Sequence, residues 1–120
     1  MHIEKGEIYL ANLGSKDKLD IGKIRPVLIF QNNMLNKMIE HTAYKDVIII
    51  PLSSQIREND FTLCIAKRDH LEKESVLLCN AIKMIDATRL LIEKGRLTRL
   101  SKKETTRVEQ ILVSLFDCTV

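Results

Sequence analysis

The sequence predicts a mainly β protein with one helix, built as a small, strongly bent antiparallel sheet or open barrel. Several short apolar segments are separated by polar turns, as in folds made of many short strands. Near the C-terminus, Ser101 and Glu104 have the spacing of a capping box, and apolar residues follow at helical intervals. No linker, repeat or low-complexity tract divides the 120 residues. We therefore expect one domain over residues 1–120 with a single core.

The first strand is predicted within residues 6–13. Apolar Ile8 and Leu10 alternate there with Glu7 and Tyr9, a period of two residues. Such alternation is typical of a strand that is buried on one face only. We expect a half-buried strand.

The second strand is predicted to begin beside Pro26 and to follow a polar loop over residues 14–22. Proline fixes its own φ and pushes the preceding Arg25 toward an extended conformation. Residues 27–30 are apolar at consecutive positions, as in a strand that is covered on both faces. This pattern predicts a central strand with Arg25 at its start.

Arg25 is the first candidate functional residue. A guanidinium on a rigid strand can direct its planar set of donors at a phosphate with little loss of entropy. The alternative is a surface arginine that pairs with a nearby carboxylate. Asp17 and Asp20 lie on the preceding loop, and either could pair with Arg25 or act beside it on a shared substrate. The sequence leaves both alternatives open.

The region after the second strand contains a connection and then another buried strand. Met34, Leu35 and Met38 are spaced as on a helix, which predicts one short helical turn within residues 31–44. The β-branched run at residues 47–50 is too short for a typical helix and predicts a strand.

A second group of candidate functional residues follows that strand. Ser53, Ser54 and Gln55 come directly after Pro51 and Leu52. Polar groups at the end of a buried strand need partners from the backbone, water or a ligand, so they could form the edge of a pocket. A simple turn is the alternative.

The rest of the chain predicts further short elements. They are a strand at residues 61–65, a strand at 76–79, a continuation or a sharply bent successor of that strand at 81–85 with Asn80 at the bend, a helical turn at 86–90 capped by Asp86, and an edge strand within 91–97. His2, His41 and His70 are all expected outside the site, with His70 on the surface. The lack of a histidine pair predicts modest acid-base catalysis.

Composition limits the possible classes of protein. The net charge is +3, but residues 83–107 alone hold eight basic and three acidic side chains, so they form either a basic surface for phosphates or a plain solvated face. The three cysteines show no metal-ligand spacing and are expected to be reduced, with Cys64 and Cys79 in the core. Without a secretory signal or a long apolar stretch, we expect a cytoplasmic protein and no membrane partner.

Four segments of the sequence together resemble the MazF/PemK family of toxins. They are residues 6–13 (GEIYLANL), 22–32 (GKIRPVLIFQN), 50–56 (IPLSSQI) and 75–90 (SVLLCNAIKMIDATRL). Their order and spacing also resemble those of the family. The resemblance extends from about residue 4 through the terminal helix.

The resemblance implies an SH3-like barrel of the CcdB/Kid/MazF type with a C-terminal helix. It also implies a homodimer that cleaves single-stranded messenger RNA at short sequences, and a paired antitoxin. We expect no metal or other cofactor, because the ribose 2'-hydroxyl can itself serve as the nucleophile. Arg25 matches the catalytic arginine of the family, and Ser53 falls where the family has a catalytic threonine or serine. Asp20 falls where many members have glutamate. The antitoxin is expected to be small, partly disordered and acidic where it docks.

The fourth segment departs from the family pattern. Asn80 and Ala81 replace a common acidic residue and glutamine, and Lys83 and Met84 replace a usual arginine and threonine. These differences fall at positions that bear on the RNA sequence preference and the turnover rate. Residues expected to contact RNA are Asn32, Ser54, Gln55, Asn80 and Lys83.

Two alternative functions use the same predicted fold. A gyrase poison of the CcdB type would act by binding protein and would need no catalytic residues, but Arg25 and Ser53 argue against it. A plain SH3-like interaction module would need a groove lined by aromatic residues. The chain holds only two tyrosines and three phenylalanines, and at least two of the phenylalanines are expected in the core.

Overall fold

The computed structural model describes residues 1–14 and 23–118. The strands of this part are β1 (Glu7–Asn12), β2 (Ile24–Ile29), β3 (Asp46–Ser53), β4 (Thr62–Ile65), β5 (Ser75–Leu78), β6 (Lys83–Asp86) and β7 (Thr98–Arg99). The α-helices are α1 (Asn33–His41) and α2 (Lys102–Leu115), and short 3-10 helices occur at Cys79–Ala81, Ala87–Arg89 and Ile92–Lys94.

The strands pair antiparallel in the order β4-β5-β3-β2-β1-β7, and β6 also pairs with β3. On one edge, β3 pairs with β6 through residues 46–49 and with β5 through residues 52–53. On its other edge, β3 pairs with β2. One strand therefore belongs to both parts of the sheet, which curls around it into a half-barrel. The predicted mainly β fold with a bent sheet and a C-terminal helix is confirmed.

The central position predicted for β2 is correct, because β2 lies between β1 and β3 and its residues 27–29 are fully buried. The half-buried character predicted for β1 is wrong. Ile8 and Ala11 are fully buried, and Tyr9 is nearly so. Packed side chains cover β1 on both faces, so alternation in sequence does not separate an inner from an outer face here.

The buried apolar residues form two clusters rather than the single core expected. Successive residues of β2 alternate between them: Val27 and Ile29 belong to one cluster, and Leu28 belongs to the other. Helix α1 contributes Ile39 to the first cluster, and α2 contributes Val108 to the second. The sheet therefore separates two apolar layers, each with its own helix.

Helix α1 is longer than the single turn predicted, and the methionines whose spacing predicted it lie outside its buried face. Asn36 and Ile39 are its buried residues, whereas Met34 and Met38 are 72% and 39% exposed. The amides of Asn36 and Gln31 explain this orientation. Gln31 Nε2 donates to Asn36 Oδ1 (3.1 Å), and Asn36 Nδ2 donates to the Gln31 carbonyl (3.0 Å). A buried amide with satisfied hydrogen bonds carries no large desolvation cost.

The connections around β6 follow the prediction in part. A 3-10 helix at Cys79–Ala81 bends the chain between β5 and β6, as expected at Asn80. Asp86 caps the following turn, and its Oδ1 accepts from the backbone N–H of Thr88 (2.9 Å). The edge strand expected within residues 91–97 is wrong: a 3-10 helix lies there, and the strand comes later, at Thr98–Arg99.

The predicted capping box of α2 is confirmed. The Glu104 backbone N–H donates to Ser101 Oγ (3.1 Å), and the Ser101 N–H donates to Glu104 Oε1 (2.8 Å). Both Glu104 oxygens also accept from the Arg68 guanidinium, each at 2.8 Å. The bonds from Arg68 are the main reason that the pKa of the Glu104 carboxyl lies below its ordinary value. This ion pair joins the start of α2 to the β4–β5 connection.

Replacing Arg68 with glutamine should lower the free energy of unfolding by about 1–2 kcal/mol near neutral pH, because a charged bidentate bond is lost. Folding lowers the pKa of Glu104. The stabilisation that its ionised carboxylate gives the folded state is therefore fully present above the ordinary carboxyl pKa of about 4.3, and it is lost as pH falls through the lower folded pKa. Urea unfolding at several pH values measures this. The difference from wild type should shrink in acid. Arg107→Gln, at an exposed site on α2, is the control, and an equal loss in both variants would contradict the assignment.

None of the helices in the described part of the chain is both long and apolar enough to cross a membrane.

Candidate functional site

An open cavity of about 640 Å³ lies where β2 begins and β3 ends. Its volume is within the range of about 300–1,000 Å³ that is usual for ligand pockets. The residues that line it come from β1, β2, β3, the β4–β5 connection, the start of β5 and the segment before β7. They are Leu10, Ile24, Arg25, Pro26, Leu52, Ser53, Ser54, Gln55, His70, Leu71, Glu72, Lys73, Ser75 and Leu97.

Strand register explains why Arg25 and Ser53 lie on the same cavity. Val27 pairs with Pro51 at the last ladder position between β2 and β3. Continuing that register by two residues sets position 25 opposite position 53. Because β3 turns to pair with β5 at this point, the two strands open and leave space between them. Two candidates that lie 28 positions apart in sequence thus line one cavity.

The side chain of Arg25 is exposed, and its Nη1 donates to the carbonyl oxygen of Ile24 (3.1 Å). No carboxylate within residues 1–14 or 23–118 forms an ion pair with Arg25. With respect to the described residues, most N–H donors of the Arg25 guanidinium are available for an anion. Asp17 and Asp20 fall outside the described residues, so the choice between pairing and joint action stays a prediction.

The hydroxyl of Ser53 is half-buried at the end of β3. Its Oγ accepts a hydrogen bond from the backbone N–H of Gln55 (3.1 Å). The bond fixes the local turn and leaves the hydroxyl proton able to donate to a ligand. Ser54 and Gln55 are exposed beside it on the cavity edge.

The cavity also contains His70, which was expected to lie away from the site. That expectation is wrong for its position: His70 is exposed, as predicted, but it lines the same cavity as Arg25. The pairing of Ser53 with Val76 explains this position, because it brings the connection before β5 back to the end of β3. Glu72 and Lys73, on this same connection, also line the cavity.

Other candidate residues lie elsewhere. Asn32 follows the opposite end of β2 from Arg25 and caps α1, where its Oδ1 accepts from the backbone N–H of Leu35 (2.8 Å). Asn80 is exposed in the 3-10 helix beyond β5. Lys83 lines a second cavity of about 360 Å³. Asp20 lies outside the described residues.

The basic window at residues 83–107 is only partly available to ligands. Arg96 pairs with Glu7 (3.1 Å), and Arg99 pairs with Glu4 (3.0 Å). The Arg89 guanidinium donates to the carbonyl oxygens of Asn12 and Gly14. These contacts favour a structural role for the three arginines over direct phosphate binding.

Two of the three cysteines, Cys64 and Cys79, have thiols that are less acidic than an ordinary thiol. Burial raises the pKa of the Cys79 thiol to about 11 and is also the main cause of the raised pKa of Cys64. A thiol whose pKa is raised stays protonated near neutral pH and reacts slowly. Cys79 is fully buried, as predicted, whereas Cys64 is only half-buried. Across residues 1–14 and 23–118, no group of three His, Cys, Asp or Glu side chains is arranged to hold a metal ion.

The architecture matches that of known toxin structures. The toxin MazF-mt6 of Mycobacterium tuberculosis superposes with a TM-score of 0.74 at 19% identity, covering 95% of this chain and 99% of that one. A MazE-MazF structure from Deinococcus radiodurans gives a TM-score of 0.73 at 16% identity over 99% of each chain. An endoribonuclease in complex with its cognate antitoxin, from a mycobacterial species, gives 0.71 at 19% identity over 98% of each chain. The curled half-barrel with a C-terminal helix is thus the fold of MazF toxins.

The family model describing the PemK-like, MazF-like toxin of type II toxin-antitoxin systems matches residues 4–116. The chain belongs to this family. The resemblance in the four sequence segments is therefore confirmed.

Proposed function

We propose that the chain is a metal-independent, sequence-specific endoribonuclease that cleaves single-stranded messenger RNA. The observation that carries this proposal is the convergence of Arg25 and Ser53, from the ends of two strands, on one open cavity of about 640 Å³. A cationic fork and a hydroxyl on a cavity of this size fit a phosphodiester and its flanking groups. Membership of a toxin family supports the same function.

In the proposed reaction, the ribose 2'-oxygen attacks the adjacent phosphorus, and the bond to the 5'-oxygen breaks. The products are a 2',3'-cyclic phosphate and a free 5'-hydroxyl. Arg25 stabilises the charge that develops on the phosphorane oxygens. Ser53 donates a hydrogen bond to a phosphate oxygen or orients the 2'-hydroxyl. Asp20 is the proposed acceptor of the 2'-hydroxyl proton.

Primer extension on a long RNA treated with purified protein tests the proposal. We expect cuts at a small set of related sequences, and the same cuts in the presence of EDTA. The 5' fragments should end in cyclic phosphate. A pure, folded protein that cuts no RNA would contradict the proposal and favour a toxin that acts by binding protein.

RNA sequence recognition is proposed to begin at the cavity edge. Ser54 and Gln55 are exposed beside Ser53, where they can reach the edges of unstacked bases. Asn32, Asn80 and Lys83 lie outside this cavity, so we assign them to contacts with more distant nucleotides.

The proposed partners are a cognate antitoxin and a second copy of the chain, in the cytoplasm. The antitoxin complex of a structurally similar endoribonuclease supports the first. An acidic antitoxin segment would compete with RNA for Arg25 and Lys73, since carboxylates and phosphates use the same donors. Light scattering of the pure protein should give twice the mass of the chain; the mass of a single chain would contradict the dimer.

A further inference from the structure

Four of the described residues that line the cavity have ionisable side chains. They are Arg25, His70, Glu72 and Lys73. An arginine keeps its proton at any ordinary pH, and lysine side chains release theirs only near pH 10. A glutamate is ordinarily ionised at neutral pH and accepts protons. Imidazole is the side chain whose ordinary pKa, about 6.5, lets it both hold and release a proton near neutrality.

The backbone that carries His70 is held in place by hydrogen bonds. Arg68 and Leu71 exchange two backbone bonds, at 3.1 and 2.8 Å, which close a two-residue turn over Asp69 and His70. The backbone N–H of His70 donates to the carbonyl of Leu97 (2.9 Å). The turn is thereby joined to the segment just before β7.

Side chains hold the same turn from the other direction. Asp69 has a φ of 50°, a left-handed conformation that aspartate tolerates better than most residues. Its Oδ2 accepts from Thr98 Oγ1 (2.6 Å), and Arg68 Nε donates to that same Thr98 oxygen (3.3 Å). Arg68 is in turn bound to Glu104 at the start of α2. Strained backbone supported on several sides is common at functional sites.

Resting on the ribonuclease function proposed above, we propose that His70 is the general acid of the reaction. As the bond between phosphorus and the 5'-oxygen breaks, protonated His70 gives its proton to that oxygen. The 2'-hydroxyl proton goes to a carboxylate, which later releases it to solvent, and His70 recovers a proton from solvent. The reaction then needs only one histidine. The prediction of modest catalysis assumed instead that a pair of histidines is needed.

The test uses an RNA oligonucleotide that contains a mapped cut site, and the same oligonucleotide with sulfur in place of the 5'-bridging oxygen. A thiolate leaves without being protonated, so it does not need a general acid. We expect His70→Ala to slow single-turnover cleavage of the oxygen substrate by about 10²–10⁴-fold. Cleavage of the sulfur substrate should slow by far less. His41→Ala, at an exposed histidine on α1, is the control and should cleave both substrates at the wild-type rate.

The possible results separate a failure of the general-acid role from a failure of the ribonuclease function. Equal loss on both substrates would overturn the general-acid role, because a displaced turn or weaker binding slows both reactions alike. Full activity of His70→Ala on the oxygen substrate would also overturn it, while leaving the ribonuclease function intact. If the wild-type protein cleaves neither substrate, the proposed function fails, and the role of His70 fails with it. Thermal unfolding of each variant checks that its fold is retained.

Discussion

Arg25→Ala should reduce RNA cleavage by about 10²–10³-fold, the usual effect of removing one preorganised donor from a developing negative charge. The side chain is exposed and makes one hydrogen bond to the backbone of Ile24 within the described chain, so its loss should leave the fold unchanged. Single-turnover cleavage of an oligonucleotide with a mapped cut site measures the effect.

Arg107→Ala is the matched control, because it removes an exposed arginine on α2 that does not line the cavity. It should cleave at the wild-type rate and leave the same cut sites. Arg25→Lys keeps the positive charge without the planar fork, so it should fall between wild type and alanine. If Arg25→Ala cuts RNA as fast as wild type, Arg25 does not stabilise the transition state.

Replacing the 2'-hydroxyl with hydrogen on the nucleotide just 5' of the scissile phosphate should abolish cleavage there. The attacking oxygen belongs to the RNA, and no protein group described at the cavity can replace it in forming a cyclic phosphate. Binding should change little, because the phosphates and base edges remain. Gel shift and cleavage assays on the same oligonucleotide separate the two effects.

A 2'-deoxy substitution one nucleotide further along the RNA is the control and should leave cleavage at the original site. Cleavage at the substituted position would exclude the proposed attack by the 2'-oxygen. It would point instead to attack by water or by a protein side chain.

Local sequence patterns were enough to predict the elements that hold Arg25 and Ser53. Pro26 before a continuous apolar run specified the start of β2, and polar residues after Pro51 marked the end of β3. The capping box at Ser101 specified where α2 begins. In each case, backbone conformation is decided by residues within a few positions, so the pattern is sufficient.

Features that depend on distant pairing were missed. The place of His70 in the cavity depends on how β5 pairs with β3, a strand that ends at Ser53, well before residue 70 in sequence. The buried face of α1 depends on an amide pair between Gln31 and Asn36, which apolar periodicity does not show. The cover on both faces of β1 likewise comes from two separate apolar clusters. The role of Asp20 stays a prediction.

The ion pair between Arg68 and Glu104 has a consequence for the C-terminal helix. Helix α2 covers one apolar cluster, and its first turn also anchors the turn that carries His70. Fraying of that helical end would therefore loosen one wall of the cavity more than 30 residues away in sequence. A protein that docks on the beginning of α2 could in this way alter the cavity without entering it.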